Sequence, residues 1–135
     1  MPLQTAPETL LAIPGGRALL DWFGHAPRFH DAEILSFDLV GGGAATLRLH
    51  AWTLLRETDA QGYYLTERHA VVTLTLRGIE RLECRDLDAV PAIVFDLAIL
   101  PDPRGFEVEW TSSVGLQGAL LAREIEIGLT PGRPA

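Results

Sequence analysis

Ile93-Val94-Phe95-Asp96-Leu97-Ala98-Ile99 is the stretch that decides the fold. Ile93, Phe95, Leu97 and Ile99 recur at every second residue, the period of a strand with one face on a core. The pattern continues outward on the C-terminal side. Pro101-Asp102-Pro103 and Gly105 mark a rigid turn, and Phe106, Val108 and Trp110 then alternate with Glu107 and Glu109. Gly115 and Gly118 frame a second turn, and Ile125, Ile127 and Leu129 alternate with Glu124 and Glu126. After Pro131 the chain is expected to fray.

On the N-terminal side, Leu35, Phe37 and Leu39 alternate with Ser36 and Asp38. Gly41-Gly42-Gly43 then turns the chain into a second alternating run, with Leu47, Leu49 and Ala51 against Arg48 and His50, so the two read as a hairpin. Residues 56–62 are polar and read as an exposed loop. Val72, Leu74 and Leu76 form another stripe broken at Gly78, and 79–84 is a short segment whose Ile79 falls out of step with Leu82, the mark of a bulge. Residues 86–91 connect it to 93–99.

Seven strand candidates with mostly hairpin-length connections predict a mainly β, α+β chain. The expected architecture is an antiparallel curved sheet or sandwich with a short N-terminal helical segment against one side. That segment has two parts. Thr5 is placed to cap a turn containing Pro7 and Glu8, and residues 17–23 carry Leu19, Leu20, Trp22 and Phe23 on one stripe ending at Gly24. The chain reads as a single domain over 1–135, with an ordered core at about 17–129 and a flexible tail at 131–135.

Composition narrows the function classes. All 11 basic residues are Arg, against 18 Asp+Glu, and the net charge of −7 disfavours nucleic acid as a partner. Cys84 is the only cysteine, which excludes an internal disulfide and suits a reducing, cytoplasmic setting. No apolar run approaches a membrane span, and the N-terminus does not read as a signal peptide.

The densest chemistry lies between helix and first strand, in Trp22-Phe23-Gly24-His25-Ala26-Pro27-Arg28-Phe29-His30-Asp31-Ala32-Glu33. His30, Asp31 and Glu33 are candidate metal ligands by residue type, and an extended backbone would put Asp31 and Glu33 on one face with Leu35 and Phe37. The competing reading is structural: Asp31 pins the turn and His30 bonds the backbone, with Trp22 and Phe29 packing around them. No closed ligand set supports a metal, so none is assigned, nor any cofactor. His25, His50 and His69 are scattered, and His50 falls on the polar face of its strand. The serines lack a nucleophile elbow, Cys84 reads as a small buried thiol, and the triple glycine lacks the ending of a phosphate loop, so no catalytic residue is assigned. Glu107, Glu109, Glu124 and Glu126 would gather on one exposed face if the last two strands pair in step, forming either a patch for a basic partner or an ordinary solvated surface.

The run Phe29-His30-Asp31-Ala32-Glu33, with Trp22 before it and the strand 35–39 after it, resembles the immunity protein 50 family of bacterial polymorphic toxin systems. The block Val71-Val72-Thr73-Leu74-Thr75-Leu76-Arg77-Gly78-Ile79-Glu80-Arg81-Leu82-Glu83 and the loop into 93–97 are similar to it as well, so the resemblance covers about 17–129. The chain departs from the family after Asp86, where Asp88-Ala89-Val90-Pro91 stands in place of an asparagine-containing loop. The resemblance implies a non-enzymatic cytoplasmic protein that binds and neutralises a secreted toxin domain. The alternative is a metal- or small-ligand-binding domain, or an enzyme, centred on His30, Asp31 and Glu33. A homodimer through an uncovered sheet edge is compatible with either.

Overall fold

The computed structural model describes residues 4–86, 88 and 90–134. Two short helices, α1 (Pro7–Leu11) and α2 (Gly16–Phe23), precede six strands: β1 (Glu33–Val40), β2 (Ala44–Thr58), β3 (Tyr64–Arg85), β4 (Ala92–Asp102), β5 (Gly105–Val114) and β6 (Gln117–Pro131). The strands are antiparallel and close into one barrel in the order β1-β2-β3-β6-β5-β4. No helix among the described residues is long and apolar enough to cross a membrane.

The count is six because 72–77 and 79–84 are one strand. Gly78 does not break it. With φ at 65° it bends β3, and the register with β6 slips between Ile79 and Arg81, the bulge that Ile79 announced. Part of the stretch expected as a loop is strand as well: β2 runs to Thr58 and β3 starts at Tyr64, so only 59–63 turn. The Asp59 carboxylate organises that turn by accepting the N–H of Gln61 and of Tyr63.

Alternation holds along much of the sheet. Leu47, Leu49, Val72, Leu74, Leu76, Val108, Trp110, Ile125 and Ile127 all face the core. Each such leucine contributes about 2–5 kcal/mol by the cost of cutting it to Ala. The deciding stretch behaves differently. Leu97 and Ile99 are buried, but Ile93 is 39% and Phe95 51% exposed, with Val94 inside instead. Register slips on both sides of Val94 flip the earlier half of the stripe outward. The same happens in β1, where a slip between Ile34 and Ser36 buries Ile34 and turns Glu33 away from the core; Phe37 beyond it still packs on the core, and Leu39 on the same face is exposed towards the strand's end.

Barrel closure is thin. β1 and β4 pair only at Glu33↔Ile93 and Ile34↔Ala92. Beyond that point the incoming chain covers the edge of β4: Asp31 N–H donates to Val94 O, Val94 N–H to Ala32 O and Leu97 N–H to Arg28 O. Thr5 does not cap α1, whose N-cap is Ala6; its hydroxyl accepts the N–H of Ile99 at 2.9 Å. Leu10 and Ile13 are buried, so the core begins before residue 17. Gly15 lets the helical pair seat closely, because a Cβ there would collide with the carbonyl of Ile127, whose N–H bonds Pro14 O. Gly132 N–H donates to His69 O, tying the start of the expected flexible tail to β3. Leu87, Ala89 and Ala135 lie outside the described residues, and with Ala89 goes part of the departure from the family pattern.

Candidate functional site

The helix–strand junction holds the chain to the sheet. Phe29 and Asp31 adopt φ of 59° and 68°, which breaks extended geometry and separates Asp31 from the face of Glu33. His30 donates from Nδ1 to Phe95 O at 2.8 Å, and its ring meets the exposed Phe95 edge-on at 5.3 Å. The Asp31 carboxylate lies 3.8 Å from His30 Nε2, and both side chains are about half exposed. Arg28 grips Asp96 through two hydrogen bonds of 2.9 and 3.0 Å. Trp22 and Arg68 exchange bonds, Nε1 to Arg68 O and Nη1 to Trp22 O, and so clasp α2 to β3. Among the described residues, no group of three His, Cys, Asp or Glu converges as a metal cage.

Glu33 belongs to a different constellation. It lies directly across from His50, whose Nδ1 is 3.1 Å from Oε1. His50 Nε2 is 2.9 Å from His69 Nδ1, and His69 Nε2 is 2.8 Å from Thr66 Oγ1. Trp52 covers both rings, with centroid distances of 4.9 Å to His50 and 5.7 Å to His69. His50 is not a surface histidine: although it points off the barrel, it is only 6% exposed.

A carboxylate, two imidazoles and a hydroxyl thus form one continuous chain. Each partner finds its role when both rings are neutral. Thr66 donates to His69, His69 to His50, and His50 to the carboxylate. Burial, then the nearby Arg133 and His50, hold the His69 pKa below its ordinary 6.5, which favours that neutral state. The geometry suits a proton between the rings better than a metal. Ring centroids 5.1 Å apart with nitrogens 2.9 Å apart place the N···N line nearly along both rings, whereas an ion between them at ordinary bond lengths of about 2.0–2.1 Å needs more room.

Two sequence features could have found this group. His50 lies between the inward Leu49 and Ala51, and His69 beside the inward Ala70, so both occupy the outer face of one hairpin. Their side-by-side placement depends on the β2–β3 pairing, in which His50 opposite Val71 and Ala51 opposite Ala70 set His69 diagonal to His50, and alternation does not reveal which residues pair.

The acidic strands separate into two groups. Glu107 and Glu109 oppose Leu121 and Ala119 across β5–β6, while Glu124 and Glu126 lie beyond that pairing, opposite Arg77 and Thr75 on β3. The two strands pair, but in a register that keeps the four carboxylates from forming one patch. Arg77 reaches Glu126 at 3.3 Å and Arg81 reaches Glu107 at 3.6 Å.

Glu109 instead lines a cleft of about 720 Å³ with Glu83, Asp96, Arg85, Phe95 and the small residues Ala98, Gly118 and Ala119. Gly118 must stay small, since a Cβ there would press on Glu83 O at 2.6 Å. Desolvation first, then hydrogen bonding and repulsion from Glu107, raise the Glu109 pKa above its ordinary value. Cys84 borders the same cleft. Burial pushes its thiol up, so it stays protonated and unreactive, as a small packed thiol does. Comparison with family models, curated proteins and solved structures finds no match for the chain.

Proposed function

We propose that this chain is a non-catalytic binding protein of the toxin-neutralising immunity type, which receives a basic side chain of a cognate toxin domain in the Glu83–Asp96–Glu109 cleft. The observation that carries this reading is Glu109. The fold places a partly desolvated carboxylate beside a second one, Glu107, and the nearby Arg81 bonds Glu107 rather than Glu109. Such an arrangement costs stability by itself and is relieved by an incoming cation. Phe95, 51% exposed at the rim, offers the aliphatic stem of an arginine or lysine an apolar wall. The net charge of −7 adds long-range attraction for a basic partner and speeds encounter.

The test is co-expression with the toxin domain encoded beside the gene, scored by growth. Wild type restores growth, and Glu109→Gln weakens the rescue at least tenfold while melting no lower than wild type. Absence of rescue by the wild-type chain, or full rescue by a Glu83→Gln, Glu109→Gln double variant, overturns the proposal.

A further inference from the structure

We propose that the Glu33–His50–His69–Thr66 chain is a proton-operated latch at the root of the β2–β3 arm, closed with no or one added proton and opened by two. The arm is the end of the hairpin, 53–66, which carries the exposed Leu54, Tyr63, Tyr64 and Leu65. Its base is held by side chains from three strands: Glu33 from β1, His50 and Trp52 from β2, and Thr66 and His69 from β3.

Proton counting sets the behaviour. With both rings neutral, every bond has one hydrogen, running from Thr66 toward Glu33. One added proton leaves the chain intact. Whichever ring takes it, one hydrogen still lies between the two rings, and His69 Nε2–H turns to the Thr66 oxygen, which accepts as readily as it donates. A second proton has no place. It puts an N–H on His50 Nε2 and another on His69 Nδ1, facing each other across 2.9 Å, with a positive charge on each ring. The rings must part, and Trp52, stacked on His69 and tilted against His50, loses its seat.

The charged groups around the pair act in opposite directions. Glu33 brings a carboxylate to 3.1 Å from His50, whereas Arg133 disfavours a proton on His69. Arg68, also at the root, is engaged with Glu67 at 3.9 Å and with Trp22 O. The pair titrates as a unit in two steps.

The wild-type chain decides the matter. Ring resonances of His50 and His69 are followed by NMR from pH 8 to 4, alongside amide exchange normalised to intrinsic rates. The first proton leaves exchange in 53–66 unchanged. The second raises it at least tenfold, while amides in 72–76 stay protected. In His69→Gln, which has one imidazole, the arm stays closed at the pH that opens wild type. Arm exchange that follows the first proton, stays flat through both, or rises equally in the barrel overturns the latch. So does independent titration of the two rings at ordinary values.

Discussion

The root of the arm and the floor of the cleft each press two like titratable side chains together, and the fold leaves them in opposite condition. His50 and His69 bond one another because a neutral imidazole is donor on one nitrogen and acceptor on the other. Glu107 and Glu109 cannot do the same when both are ionised, because both are then acceptors only; burial first, then Glu107, raises the Glu109 pKa. Neighbouring chemistry completes the contrast. The imidazoles are flanked by a carboxylate that accepts and a hydroxyl that does either, whereas the glutamates are left with one arginine, Arg81, bonded to Glu107. Two neutral imidazoles carry the hydrogen their contact needs; two ionised carboxylates carry none, and their site stays open to a cation.

The largest expected effect comes from breaking the satisfied pair. His50→Ala strips partners from Glu33 and His69 and opens a gap under Trp52. Urea unfolding at pH 7 should show a loss of about 2–4 kcal/mol. A loss no greater than that of an exposed surface substitution would mean that the two regions do not differ.

Next is the acid limb of stability. His69 has a folded-state pKa below its unfolded value of 6.5, so the unfolded chain binds more protons between the two. Thermal stability should therefore fall as pH drops below about 6.5 and reach its full penalty below the lowered value. His69→Gln should flatten that part of the profile, as read by melting curves in steps from pH 8 to 5.

Glu109 works with the opposite sign. Its raised pKa means the folded chain binds more protons between the ordinary glutamate value of 4.5 and the raised value, so its cost grows as pH rises through that window and vanishes below 4.5. Glu109→Gln should raise the melting temperature at pH 7 by about 1–3 °C and leave it unchanged at pH 4. Loss of stability at pH 7 would remove the contrast with the imidazole pair. The smallest effect belongs to Arg77→Ala, which breaks a half-exposed pair with Glu126 and should cost under about 0.5 kcal/mol.

The fold class was readable because alternation is a local property wherever strands run straight, as along Leu47–Leu49, Val72–Leu76 and Phe106–Trp110. It misled at Ile93 and Phe95, where bulges shift which face a residue presents, and at Leu39, which lies on the core face but towards the exposed end of its strand. At the junction, the structural reading of His30 matches the backbone bond it makes, while Glu33 went unpaired with His50 because their contact joins two strands. The acidic residues were correctly placed on outer faces, and only their grouping depended on register.

The amino-acid order alone determined a mainly β antiparallel chain, a helical start and an acidic body, since side-chain period, turn residues and net charge need no knowledge of distant neighbours. Tertiary structure decided barrel closure, the meeting of His50 with His69 and the isolation of Glu109. Each of these hangs on strand register, and a one-residue slip at a bulge changes which side chains meet without altering composition or periodicity elsewhere.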